Sequence, residues 1–215
     1  MITNASSLTL ANLRQKFKMQ INADDRFFDE WLQNSPTLTE SEQQGLDRLS
    51  RNYIYLSQEE PPLEEVVKLV VVSPLLDLAG FYQAPFLVKT EVSTSIEVSD
   101  EVDSVAIQGR IDILVLQDRF WVIVIESKPA RLDVTAGIPQ ALTYLLGAPS
   151  IQVNSFGMVT NGREVLFLKC DRSQSSPQYT RSQTYRLLEN TEERIQVLQG
   201  LKQIGALICD RVLSF

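Results

Sequence analysis

The chain has no histidine, and its two cysteines, Cys170 and Cys209, stand far apart. Together these absences exclude the usual zinc-ligand spacings and a disulfide framework, so the expectation is a reduced, cytoplasmic protein without a structural metal. Long apolar runs are also missing. The longest, "VVKLVVVSPLLDLAGFY", is interrupted by Lys68, Pro74 and Asp77 and reads as a core helix, not a membrane span. No N-terminal segment couples a basic start to an apolar stretch, so no signal peptide is expected. There is no internal repeat and no low-complexity tract. No G-x-x-x-x-G-K-[ST] phosphate loop occurs, which excludes an ATP-driven motor built on that loop within this sequence.

What is present is ordinary for a globular protein: 44% hydrophobic and 22% charged residues over 215 positions, enough to bury a real core. The net charge of −7 argues at first against a polyanionic partner. Its distribution softens that argument. Residues 1–104 carry 8 Lys/Arg against 17 Asp/Glu, while residues 105–215 carry 12 against 10.

Residues 1–60 read as a helical cap. Ser7 offers a start for "SLTLANLRQKF", Phe27, Phe28 and Trp31 recur at helical spacing, and Thr39 followed by Glu42 forms a capping box. Pro61-Pro62 is the clearest break, dividing an N-terminal extension (1–60) from the main domain (61–215). An apolar helix should run from Leu63 to about Ala79 and close at Gly80. Three strands follow, "FLVKTEVSTSIEV", "AIQGRIDILVLQ" and "RFWVIVIESK", the last two forming a tight antiparallel hairpin around Asp118. A helix over "DVTAGIPQALTYLLGAP", a strand–Asn161-Gly162–strand unit and a final amphipathic helix complete an α/β order with a mixed sheet.

The end of "RFWVIVIESKPA" carries the chemistry. Strand alternation puts Glu126 and Lys128 on one face with Ser127 opposite, and charges at the end of an apolar strand need solvent, a partner or a ligand. With 15 Glu and 7 Lys in the chain, chance alone supplies about 0.5 Glu-x-Lys triplets, so context must decide. Asp112, flanked by Ile111 and Ile113, lies in the preceding strand. An odd-length loop around Asp118 pairs Asp112 with Glu126 on one face; an even loop needs a bulge to do so. Two carboxylates that close repel unless a cation joins them. Lys128 supplies one charge, and Mg²⁺ (or Mn²⁺) would supply two more, which suits phosphodiester hydrolysis. The plainer alternative is a structural Asp–Lys–Glu network. Gln140 and Tyr144, at i and i+4, share one helix face. Glu64 and Glu65 head the apolar helix, where acids also suit the helix dipole.

In order, a helix acid, Asp112, Glu126-Ser127-Lys128 and Gln140-x-x-x-Tyr144 resemble the PD-(D/E)XK nuclease superfamily. The Gln-x-x-x-Tyr element is similar to that of its RecB-like branch. The segments "SPLLDLAGFY", "ESKPA" and "GMVTNGREVLF" resemble the N-terminal nuclease domain of type I restriction motor subunits, over roughly residues 60–170. That resemblance implies a restriction-endonuclease-like core, a mixed central sheet flanked by helices, and Mg²⁺-dependent DNA cleavage. It implies Asp112 and Glu126 as metal ligands, the Ser127 carbonyl as a third oxygen, and Glu65 or Glu64 on the outer side. Lys128 would position water, Gln140 would orient the site or contact DNA, and Tyr144 would support it. The sequence departs from the superfamily in having Ile111, not proline, before Asp112. The implied partner is DNA, with no membrane. Cutting both strands would favour a homodimer, and separate restriction-system subunits are left open. Two alternatives stand beside this: a non-catalytic fold that binds DNA or a partner, and hydrolysis of another polyanion such as RNA.

Overall fold

The computed structural model describes residues 2–23, 35–99 and 104–212. The segment holding Phe27, Phe28 and Trp31 lies outside the described residues. Among the described residues, nine strands form one mixed sheet. The strands are β1 (Ile2–Asn4), β2 (Gln20–Ile21), β3 (Leu87–Ser99), β4 (Ser104–Gln117), β5 (Phe120–Ser127), β6 (Asn154–Thr160), β7 (Glu164–Asp171), β8 (Gln178–Arg181) and β9 (Tyr185–Arg186). Their order is β1-β4-β5-β6-β7-β8-β2, with β3 on the far edge of β4 and β9 on β7.

The helices are α1 (Leu10–Phe17), α2 (Glu40–Leu56), α3 (Glu64–Val67), α4 (Ser73–Leu78), α5 (Ile138–Leu146) and α6 (Thr191–Val212). They cover both faces. On one, α2, α3, α4 and α6 bury Leu49, Tyr53, Val67, Leu75 and Leu201 against Ile123, Ile125 and Phe167. On the other, α1 and α5 bury Leu13, Leu142 and Tyr144 against Ile111, Val124 and Leu166. Buried on both faces, β5 and β7 read as unbroken apolar runs, as strands in such a sandwich must. Among the described residues no helix is long and apolar enough to cross a membrane.

Several local expectations meet the backbone directly. Thr39 and Glu42 form the capping box of α2. The hairpin around Asp118 has the even loop: Gln117 pairs with Phe120, and a bulge between Val115 and Leu116 shifts the register so that Ile113 meets Ile125. The β4–β5 pairing ends at Ile113 and Ile125, so Asp112 and Glu126 each stand one residue beyond it. The turn between β6 and β7 holds Gly162 at φ 85, a left-handed value that costs a side chain.

Three features differ from the sequence expectation. Thr9, not Ser7, caps α1, accepting a hydrogen bond from the Asn12 backbone, while Ser7 ends a 3₁₀ turn (Ala5–Ser7). Residues 1–60 supply strands as well as helices, because β1 pairs in parallel with β4 and β2 with β8. Segments of two or three residues are too short to show periodicity. Finally, the expected helix 63–79 is interrupted by a π-helical stretch, Lys68–Val72, with the Ser73 N–H bonded to the Lys68 carbonyl. Pro74 follows immediately; its missing N–H and its ring cannot be fitted to a regular α-helical turn, and the wider turn accommodates it.

Candidate active site

One edge of β4 is shared. Residues 113–117 pair with β5 and residues 106–108 pair with β1. Asp112 stands at the handover, beside the end of β5, and is 8% exposed. The Ser127 N–H and Oγ–H both donate to Asp112 Oδ2 at 2.8 Å. At the strand end the Ser127 hydroxyl, which alternation sets opposite Glu126, bonds to the acid of β4. That hydrogen bond is a positioning role that alternation alone concealed.

Glu126 is 1% exposed. Its Oε1 accepts from Lys128 Nζ at 2.6 Å, while its Oε2 is buried with no hydrogen-bond partner. Burial, and then the neighbouring Asp112 charge, push the Glu126 carboxyl up to about 8 against the pull of Lys128. Lys128 Nζ also donates to Gln140 Oε1 at 3.0 Å. Gln140 Nε2 donates to Tyr144 Oη at 2.9 Å, and that hydroxyl donates to the Arg110 carbonyl at 2.9 Å. Burial drives the Tyr144 hydroxyl up to about 12, so it stays a proton donor at neutral pH. The five residues thus form one chain of directed bonds from β4 through α5 to the end of β5. Gly109 makes room for it: a methyl group there would lie 2.7 Å from Tyr144 Cε1.

The N-terminus of α3 closes the cleft, brought there by the Ala130 N–H bonding to the Pro62 carbonyl. Glu64 and Glu65 both line a cleft of about 490 Å³ with Asp112, Gln140 and Tyr144. Of the two, Glu64 is the half-buried acid and is joined to the site through Lys68; Glu65 is exposed. Lys68 was not anticipated, although its i, i+4 spacing from Glu64 was a legible signal. It lies 3.3 Å from Asp112 Oδ1. Burial lowers the proton affinity of its ammonium, and Glu64 and Asp112 more than reverse this, holding it above its ordinary value. Glu91, also unanticipated, reaches Lys68 and Arg110.

Among the described residues, no group of three His, Cys, Asp or Glu side chains stands together ready to hold a metal ion. The site nonetheless fits one hard cation on fewer protein ligands. Asp112 and the orphaned Glu126 Oε2 offer oxygen donors, and Mg²⁺ commonly binds one or two carboxylates while keeping several waters.

A mixed α/β sheet covered by helices, ending in an acid–lysine cleft, defines the class of protein. The family "Type I restriction enzyme R protein N terminus" matches residues 4–176, and the chain belongs to it. Two solved structures are similar. One is the fragment structure of a protein assigned as an HsdR subunit of a type I restriction enzyme from Vibrio vulnificus YJ016: 22% identity, TM-score 0.40, covering 66% of this chain and 26% of that one. The other is the crystal structure of SSO0001: 16% identity, TM-score 0.27, covering 83% and 82%. The chain thus spans about a quarter of the Vibrio structure's length. No curated protein matches it.

Proposed function

We propose that the protein is a Mg²⁺- (or Mn²⁺-) dependent DNA endonuclease that cleaves phosphodiester bonds without ATP. The observation that carries this reading is the buried, unpartnered Glu126 Oε2, in a carboxyl close enough to Asp112 to feel its charge. A carboxylate oxygen left without a donor in the interior costs free energy unless a cation joins it. Asp112 and Glu126 would hold the ion, with the Ser127 carbonyl as a further oxygen and Glu64, in preference to Glu65, on the outer side. When bound, the ion polarises the scissile phosphate and lowers the pKa of a coordinated water.

The chain's own residues do the rest. Ser127 fixes the Asp112 carboxylate by two hydrogen bonds. Glu126 and Gln140, the latter itself held by Tyr144, take two of the three Lys128 ammonium donors; the third would orient the attacking water or offset developing charge. Gln140 acts on the lysine before it acts on DNA.

A second reading, a non-catalytic fold that binds DNA or a partner subunit, draws support from one observation: Lys68 and Lys128 already pair with Asp112 and Glu126. Incubation with supercoiled plasmid and with single-stranded DNA, in Mg²⁺, Mn²⁺ or EDTA and without ATP, separates the two. Metal-dependent nicking or linearisation supports the nuclease. DNA binding without cleavage in either metal supports the alternative. Linear product formed in one encounter would indicate a homodimer, and dependence on added restriction-system subunits would place the chain within a larger assembly.

A further inference from the structure

Lys68 is a cation of the cleft that the proposed chemistry does not use. Lys68 Nζ lies 3.0 Å from Glu64 Oε1, 3.3 Å from Asp112 Oδ1 and 3.5 Å from Glu91 Oε1. Two backbone irregularities meet there. The π-helical stretch of the first helix begins at Lys68. Across the cleft, Glu91 takes φ 55 in the middle of β3, where Thr90 and Val92 pair with Ile113 and Ile111 and the pair between them is missing. That conformation is one a non-glycine residue rarely adopts. It is retained where the Glu91 carboxylate reaches both Lys68 and, at 2.6 Å, Arg110 Nε.

We propose that Lys68 stands where a second divalent cation would otherwise bind, so that the cleft takes one metal ion and a lysine in place of two ions. This rests on the metal-dependent reading above. Two-metal phosphodiesterases hold their ions about 3.5–4 Å apart on a shared carboxylate. Asp112 is the carboxylate in position to be shared, with Oδ2 left to the first ion beside the Ser127 donors, but its Oδ1 already faces Lys68. A Mg²⁺ joining Glu64 to Asp112 would need both oxygens at about 2.0–2.1 Å, in the space the ammonium fills.

The test counts bound Mn²⁺ on the full chain by calorimetric titration and by the paramagnetic resonance signal of free Mn²⁺. Wild type and Lys68→Arg should bind one equivalent. Lys68→Met, which keeps the apolar stem and removes the charge, should bind two, and adding Glu64→Gln should abolish the second. Two equivalents on wild type, or one on a folded Lys68→Met, overturns the inference and leaves the nuclease reading standing. No Mn²⁺ on any variant, together with no cleavage, overturns both. Should Lys68→Met fail to fold, the wild-type count still decides.

Discussion

Burial of the Glu126 carboxyl with Oε2 unpartnered makes it a residue that folding tolerates at a cost. Glu126→Gln removes the excess negative charge while keeping the shape. In EDTA its melting temperature should match or exceed that of wild type, and the gain on adding Mg²⁺ should disappear. A variant that melts well below wild type in EDTA and still responds to Mg²⁺ would show that this carboxyl is a structural ion-pair partner. Lys128→Ala makes the complementary case. The ammonium contacts Glu126 and Gln140 and no backbone group. Its loss should abolish cleavage while Mn²⁺ binding, followed calorimetrically, persists. Asp112→Asn should weaken Mn²⁺ binding as well, since a neutral amide is a poorer ligand than a carboxylate.

Between elements, two contacts are open to test. Tyr144 of α5 lies against β4 because Gly109 has no side chain, and an added methyl would also lie 2.8 Å from Ala5 Cβ. Gly109→Ala should therefore cost about 1–3 kcal/mol by overpacking. It should also reduce kcat, since displacing Tyr144 frees Gln140 and Lys128; denaturant titration and single-turnover cleavage read the two effects separately. At the opposite face, Glu42 caps α2 and pairs with Lys202 of α6. Burial pushes its carboxyl up, but the Lys202 and Thr39 bonds outweigh this and hold it below its ordinary value of 4.5. A folded-state value below the unfolded one contributes stability that is present above 4.5 and lost as the pH falls through the folded value. Glu42→Gln should cost about 1–2 kcal/mol at pH 7. The difference from wild type should shrink to nothing as the melts are moved into strong acid.

Across the whole molecule, the sheet binds residues 1–60 to the remainder. Leu13, Met19, Leu46, Leu49 and Tyr53 are each no more than 2% exposed. Burying five such side chains contributes roughly 10 kcal/mol, which is comparable to the total stability of a domain. A fragment beginning at Pro61 should accordingly lack a cooperative thermal transition, and the full chain should melt in one step by circular dichroism. Metal binding acts on the same scale. A ligand that binds only the folded state stabilises it by about 2.7 kcal/mol at a hundredfold excess over Kd, so saturating Mg²⁺ should raise the melting temperature of wild type measurably.

Local signals determined the elements whose chemistry is contiguous in the chain. The Thr39–Glu42 box, the apolar strand ending in Glu126-Ser127-Lys128 and the Gln140–Tyr144 face each lie within one element, so spacing alone reports them. The hairpin was legible up to its loop parity. The bulge after Val115, which sets Ile113 opposite Ile125 just before the two acids, is a backbone choice that no residue type in the turn dictates. Only the tertiary structure could bring Lys68, Glu91 and Asp112 to one point, because they come from a helix and two strands of the fold. That Glu64 and not Glu65 pairs with Lys68 was decided in the same way, by which acid the helix turns toward it. The short strands β1 and β2 owe their conformation to the sheet edges they join, since two or three residues are too few for pattern or propensity to specify a strand by themselves.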